Sequence, residues 1–386
     1  MATLTLPAAD RTLEAYTTRA AALPVPDGKG FNRVAFAAAH VVADPLADVD
    51  PWLAPAIDWE ATIRFRHYLW DLGFGVAEAM DTAQRGMGLG WPEAKALIGR
   101  ALQAARERPG VLIASGAGTD HLAPGPDAGV DAVIAAYEEQ VEAVEAMGGR
   151  IILMASRALA AAAKGPDDYL SVYDRVLSQV REPVIIHWLG EMFDPALAGY
   201  WGSDDHWQAM ETCLAADTAH ADRVDGIKVS LLSKEKEVAM RRRLPAGVRM
   251  YTGDDFNYAE LIAGDAEGHS DALLGIFDAI APAASAALSA LGRGGEIEFF
   301  DILAPTVPLS RHVFRAPTRF YKTGVVFLAY LNGLQDHFVM VGGQESARSI
   351  LHLAELFRLA DRAGVLKDPD LAAARMKAVL AVHGVA

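Results

Sequence analysis

The sequence predicts an α/β protein, a (β/α)8 TIM barrel followed by a C-terminal helical extension, and three observations predict it. Short apolar runs ending in polar residues alternate with longer helical stretches from Asn32 onward, the pattern of repeated strand–helix units. Eight such runs start about 34 residues apart on average, close to the length of one barrel unit. No Pro/Ser-rich linker interrupts residues 1–280, and beyond them the pattern becomes helical only. The chain therefore divides into an N-terminal segment (1–31), a barrel (32–280) and an extension (281–386) packed on it.

The eight runs follow in order. Arg33 to Ala39 ends at His40, Gly75 to Met80 at Asp81, Gly110 to Ala114 at Ser115, and Arg150 to Ala155 at Ser156. Pro183 to Ile186 ends at His187, Val224 to Ile227 at Lys228, and Val248 to Tyr251 at Thr252; the weakest covers Gly268 to Leu274. Between them, Trp59–Leu72, Pro92–Ala105, Gly129–Met147, Asp167–Val180 and Asp205–Ala221 repeat apolar residues every three or four positions, as helices covering a sheet require. The extension reads as helices over Phe277–Leu291, Arg319–Leu331, Glu345–Ala363 and Leu371–Val382, with Gly292-Arg293-Gly294-Gly295 and the Pro305/Pro308 stretch as connectors.

With 52% hydrophobic and 22% charged residues in 386, the chain is too apolar to be disordered. Its 35 basic and 50 acidic residues give a net charge of −15, and the longest basic run is Arg241-Arg242-Arg243. Nonspecific binding to nucleic acid or an anionic membrane needs a basic face, so both are excluded as expected partners. The single cysteine, Cys213, excludes an intramolecular disulfide and any Cys-rich metal site, and reads as a small buried hydrophobe. Met1 to Asp10 lacks the basic and apolar regions of a secretory signal, and the apolar run Gly324–Leu331 is far shorter than a membrane span. The expectation is a soluble, cytoplasmic protein.

In a barrel, reacting side chains project from the C-terminal ends of the strands. That rule nominates His40, Asp81 with Thr82, Ser115 with Thr119 to His121, His187 with Trp188, Lys228 with Ser230, Asp254 with Asp255, and His269 with Ser270. Within Gly226-Ile227-Lys228-Val229-Ser230 an amine sits in an apolar strand. Burial either demands an ion pair or lowers the amine's pKa, and a lowered pKa is what an imine-forming nucleophile needs. The competing reading is a structural lysine paired with an acid on a neighbouring strand.

Around this lysine the order of segments resembles the dihydrodipicolinate synthase/N-acetylneuraminate lyase group of class I aldolases. Lys228 sits in a Gly-Ile-Lys segment like that of the family's sixth strand. Gly90-Trp91-Pro92-Glu93 resembles the segment after the second-strand loop, Gly253-Asp254-Asp255 the seventh-strand motif, and Pro317, Lys322 and Gly333 the C-terminal helical signature. The resemblance spans roughly Asn32 to Gly333 and is carried by motif order. It implies that Lys228 forms an imine with a keto substrate, that no cofactor is needed, and that the protein is a homo-oligomer.

The departures redirect the expected substrate. His187 stands where the family has a proton-relaying tyrosine, and imidazole can do acid–base work near neutral pH. The family's Gly-Thr-Thr-Gly-Glu carboxylate grip is replaced by Asp81-Thr82-Ala83-Gln84-Arg85-Gly86, and Met192 aligns with an arginine of some members. Arg85 is a candidate replacement through a bidentate pair. Asp81, Asp120, His121, His187, Glu191, Asp254, Asp255 and His269 suit hydroxyl groups, and Trp188 suits stacking on a sugar ring. The expected substrate is a polyhydroxylated, sugar-derived carbonyl compound, turned over by cleavage, condensation or dehydration.

Two other readings remain open at the level of sequence. His40, His121, His187 and His269 with Asp81 or Asp254 carry the donor types of a divalent-metal site in an isomerase or hydrolase, although no His-x-His or His-Glu-x-x-His spacing occurs. A catalytically silent sugar-binding barrel is the third. Ser115-Gly116-Ala117-Gly118-Thr119-Asp120 reads as a tight turn, since it lacks the third glycine of a phosphate-binding loop.

Overall fold

In the computed structural model, which describes residues 1–20, 26, 28–125 and 128–385, the chain opens with a hairpin that the sequence reading left as an N-terminal segment. β1 (Thr3–Pro7) and β2 (Leu13–Thr17) pair antiparallel. Leu4 and Leu6 turn inward and Thr3 and Thr5 outward, a period of two too short to stand out in sequence.

Eight parallel strands then close into a barrel: β3 (Ala35–Ala38), β4 (Gly75–Glu78), β5 (Ile113–Ala117), β6 (Arg150–Leu153), β7 (Val184–Leu189), β8 (Val224–Ser230), β9 (Arg249–Thr252) and β10 (Asp271–Leu274), with β10 pairing back onto β3. Covering helices are α1 (Trp59–Asp71), α2 (Trp91–Arg106), α3 (Val130–Ala146), α4 (Arg157–Ala162), α5 (Pro166–Leu177), α6 (His206–Ala219), α7 (Lys234–Arg241) and α8 (Tyr258–Ala263). Several start on side-chain caps: Asp58 accepts from the Ala61 amide at 2.9 Å, Ser156 from Leu159 at 2.9 Å, and Asp205 from Trp207 at 2.9 Å.

Inside the barrel Phe36, Ile152, Ile185, Tyr251 and Leu273 pack together. A Cβ on Gly226 would lie 2.7 Å from the Tyr251 ring, so a glycine in the lysine-bearing strand is what lets that ring fill the interior. The eighth strand begins later than the sequence suggests, at Asp271, because Asp265 and Gly268 close a tight turn by a 2.8 Å amide–carbonyl bond. His269 and Ser270 therefore precede the strand and belong to the opposite end of the barrel from its mouth.

The short α9 (Ile276–Ala279) ends the barrel segment, and the extension holds α10 (Ala281–Gly292), α11 (Glu296–Leu303), α12 (Thr306–Val313), α13 (Tyr321–Leu331), α14 (Ile350–Arg362) and α15 (Pro369–Val382). Arg293 to Gly295 do connect α10 to α11, whereas α12 occupies the Pro305/Pro308 stretch expected to be a connector. Pro308 lies in the first turn of α12, where the missing N–H has no intrahelical partner to lose. Every residue of α13 is buried, as a helix apolar on all sides must be. The N-terminal hairpin closes over the extension, with Tyr16 Oη donating to Asp361 at 2.7 Å and Arg358 to the Pro7 carbonyl at 3.1 Å. Cys213 is buried. Among the described residues no helix is long and apolar enough to cross a membrane.

Candidate active site

Strand alternation decides which predicted residues face the barrel interior. On β7, Ile185, His187 and Leu189 share one face, and on β8 Gly226, Lys228 and Ser230 do. The strands pair so that His187 is in register with Lys228, and Leu189 with Ser230. Trp188, between two inward residues, points into the helix layer, where it meets Trp201 at 6.5 Å and His206 at 6.1 Å. It cannot stack on a ligand in the barrel, contrary to the sugar-stacking role expected from the sequence.

Lys228 is 7% exposed. Its side chain runs past the backbone of Gly253: a Cβ there would lie 2.8 Å from Lys228 Cε and 2.2 Å from Ser230 Oγ. Burial lowers the pKa of the amine, opposed by the charges of Asp81 and Asp255. Asp255, which follows β9, accepts the Ile276 amide at 2.9 Å. Burial raises its pKa to about 7, against the lowering effects of that amide and of Lys228. Burial thus weakens both the ammonium and the carboxylate, and each charge favours the charged form of the other.

Beside them, His187 Nε2 lies 3.2 Å from Ser230 Oγ, and its buried Nδ1 has no hydrogen-bond partner among the described residues. Burial, and then the Lys228 charge, push its pKa well below the ordinary histidine value, so the imidazole is neutral near pH 7. Thr82, in the turn after β4, shares a 2.8 Å hydrogen bond with Tyr321 Oη at the start of α13. Burial raises the pKa of this phenol far above its usual range, reinforced by Asp81.

A cleft opens over this group at the barrel mouth. Asp81, His187 and Leu189 line it with Arg157 and Asp194, and it continues along Gly86, Met87, Arg319, Tyr321 and Lys322. Asp81 and His187 line this cleft; Ser230 is hydrogen-bonded to His187, Thr82 to Tyr321, and Lys228 is in register with His187 and within the field of Asp81 and Asp255.

Of the remaining nominees, Arg85 and Asp120 also line the cleft, but their polar atoms are engaged with each other and with neighbouring groups. Arg85 is buried, and all five of its N–H donors are engaged: Asp120 takes two, Gln140 one at 2.9 Å, and the Ala79 and Gly116 carbonyls one each at 3.2 and 3.1 Å. It has no donor left for a substrate carboxylate, and Asp120 is its counter-ion. Asp254 accepts the Phe256 and Asn257 amides at 2.8 and 3.0 Å and caps its own turn. His269 is at the wrong end of the barrel. Glu191 binds His206 Nε2 at 3.0 Å.

The histidines proposed as metal ligands do not converge. His40 Nδ1 meets Asp278 at 2.8 Å while its Nε2 faces Gln335 at 3.2 Å, and His121 Nδ1 faces Gln140 at 2.8 Å. Among the described residues no three His, Cys, Asp or Glu side chains are placed to hold a metal ion.

Sequence reasoning missed Arg157, Asp194, Arg319 and Tyr321, and took Lys322 only as part of a motif. Arg157 directly follows Ser156, so the strand-end rule extended by one residue finds it. Tyr321 and Arg319 carry no sequence signal, because they reach the mouth from the extension.

Solved structures of the same fold include dihydrodipicolinate synthase from Aquifex aeolicus, 13% identical with a TM-score of 0.64 over 87% of this chain and 100% of that one. Another is a prophage protein of the dihydrodipicolinic acid synthase family from E. coli in complex with pyruvate, 13% identical with a TM-score of 0.66 over 86% and 98%. A third is chloride-inhibited dihydrodipicolinate synthase from Acinetobacter baumannii complexed with pyruvate, 15% identical with a TM-score of 0.61 over 86% and 99%. No curated protein matches the chain. Residues 4–385 match the family described as "Protein of unknown function (DUF993)", and the chain belongs to that family.

Proposed function

We propose that the protein is a Schiff-base-forming lyase of the class I aldolase type, acting through Lys228 on a sugar-derived keto substrate. One observation carries the reading: an amine whose pKa is lowered by burial lies at the C-terminal end of the sixth barrel strand, in register with His187 and within the field of Asp81 and Asp255. Pyruvate complexes of two proteins sharing the fold support a carbonyl substrate.

In this mechanism the neutral amine adds to the substrate carbonyl to give a carbinolamine. Protonation of its hydroxyl releases water, and the resulting iminium ion accepts the electron pair of the breaking C–C or C–H bond. The ammonium must lose a proton before attack, and burial of Lys228 lowers the cost of that loss. Protons to and from the substrate pass through His187 and through the Thr82–Tyr321 hydroxyl pair. Ser230 fixes the imidazole, and Asp81, which makes no ion pair among the described residues, is available to substrate hydroxyls.

Borohydride trapping tests the reading. Incubation with a panel of keto sugars and keto acids under reduction yields a substrate-sized mass increment on Lys228, absent in Lys228→Ala. No increment across the panel, with turnover retained in Lys228→Ala, refutes it, and tight ligand binding without turnover, indifferent to Lys228, marks a silent binding protein instead.

A further inference from the structure

The same cleft has a cationic wall that the imine chemistry does not use. Arg157 opens α4, Arg319 precedes α13, and Lys322 lies in its first turn; all three line the cleft. Against them stand two carboxylates, Asp81 and Asp194, so the local balance is positive in a chain whose net charge is −15.

Lys322 is the informative member. It is 4% exposed, yet its ammonium reaches no carboxylate: Nζ donates to the Arg319 carbonyl at 3.1 Å and lies 3.3 Å from the sulfur of Met87. A thioether is a weak acceptor, so a three-donor cation is buried here with its hydrogen bonding incomplete. Arg157 gives Nε to Asp194 and turns Nη1 toward Gly86, where a Cβ would sit 2.5 Å from it. Gly86 has φ +71°, so backbone conformation and space both keep the position open for the guanidinium. Arg319 has its guanidinium 5.0 Å over the Phe320 ring and pairs with no carboxylate among the described residues.

We propose that Arg157, Arg319 and Lys322 form a subsite for an anionic group, a carboxylate or a phosphate, carried by the substrate at the end remote from its reacting carbonyl. The order along the cleft follows from Asp81, which lines both its His187 side and the side that holds Arg319 and Lys322. The carboxylate of Asp81 disfavours a second anion on its own side of the cleft. One reaching past Asp81 meets two planar forks suited to bidentate pairing and an ammonium. The anion site stands on the cleft alone, whereas its place in the substrate rests on the imine reading.

The test is calorimetric titration of the full chain with inorganic phosphate and with malonate. At least one of these binds the wild type, and Arg319→Ala, at an exposed position, weakens it about tenfold, as expected for loss of one charged hydrogen-bonding partner. Lys322→Met does so by a similar factor, and Lys228→Ala leaves the affinity unchanged. Whichever anion shows this dependence identifies the group. Affinities equal in wild type, Arg319→Ala and Lys322→Met, or no binding of either anion, overturn the subsite.

Borohydride trapping separates the two proposals. A keto substrate with a terminal phosphate or carboxylate traps at about tenfold lower concentration than its neutral counterpart in wild type, and Arg319→Ala abolishes the difference. Anion binding that depends on Arg319 without any trapped adduct overturns the imine and leaves the subsite. An adduct at Lys228 with no preference for the charged substrate overturns the subsite alone.

Discussion

Replacing Gly253 by alanine puts one methyl group beside the amine proposed to react. Its carbon would lie 2.8 Å from Lys228 Cε, 2.2 Å from Ser230 Oγ and 2.8 Å from the Val229 carbonyl oxygen, where ordinary contact begins at 3.4 Å. The carbonyl belongs to a paired strand and accepts the Gly253 amide at 2.9 Å, so the backbone at residue 253 must shift as well as the two side chains. Cε retreats by roughly 0.6 Å and the serine oxygen by roughly twice that, which also breaks the Ser230–His187 contact. Displacements on the order of 1 Å at a reacting centre cost up to about 10²-fold in rate, and overpacking costs about 1–3 kcal/mol of stability. The predicted result is a fall of about 10- to 100-fold in the rate at which a limiting keto substrate is trapped on Lys228, read by intact mass. A thermal melt lowered by a few degrees shows that the fold persists. Gly99→Ala, in the middle of α2 with only the Met147 sulfur 3.4 Å away, serves as control, gaining about 1 kcal/mol of helix propensity and trapping at the wild-type rate. Wild-type trapping by Gly253→Ala would mean that Lys228 does not react from this position.

Three further outcomes follow from the same geometry. Burial leaves both proton carriers neutral, with the Tyr321 phenol's pKa raised and the His187 imidazole's lowered, so Tyr321→Phe and His187→Gln should each lower turnover by about 10² to 10⁴ with the trapped adduct retained, and wild-type steady-state rates in both refute the relay. Asp81→Asn removes a negative charge that favours the ammonium, so the pH at which Lys228 becomes reactive should move down from its wild-type value, and an unmoved or raised midpoint in pH-dependent mass labelling contradicts the electrostatic assignment. Glu237, buried with Thr252 and Ser270 donating to it at 2.9 and 2.7 Å, has its pKa raised to about 8, first by burial. The folded state therefore holds a proton that the unfolded chain releases near 4.5, and stability from this group falls as pH rises through that window. Glu237→Gln should raise the melting temperature at about pH 9 far more than at about pH 5, and equal shifts refute the assignment.

The barrel was legible because its repeat is long and each strand is bounded by polar residues at the mouth. The failures have separate physical causes. Trp188 was placed with His187 although neighbours on a strand face opposite sides, so one residue of error in facing carried it from the site to the helix layer. His269 was placed at the mouth because a run opening at Gly268 hides the turn that delays β10 to Asp271. Arg85 reads from the sequence as a partner for an anion. What that reading lacks is the set of partners, Asp120, Gln140 and two carbonyls, that consumes its donors, because Gln140 comes from α3 and no local pattern links the two. Lys228 was legible for the opposite reason: an amine among apolar strand residues violates the local rule, and such violations concentrate where chemistry is done.

The extension then ceases to be an appendage in any functional sense. At the fifth-strand position where the resembling family has a tyrosine, this chain has a histidine that burial keeps neutral, and a phenol arrives instead from α13, bonded to Thr82 across the mouth. The same helix start brings Arg319 and Lys322. A side chain can act at the barrel mouth only if its backbone is held rigidly, and the complete burial of α13 supplies that rigidity. The division at residue 280 thus separates two stretches of sequence with different periodicity, and the proposed chemistry draws on both: barrel strands provide the nucleophile, and the extension provides a proton carrier and the cations that would select an anionic substrate.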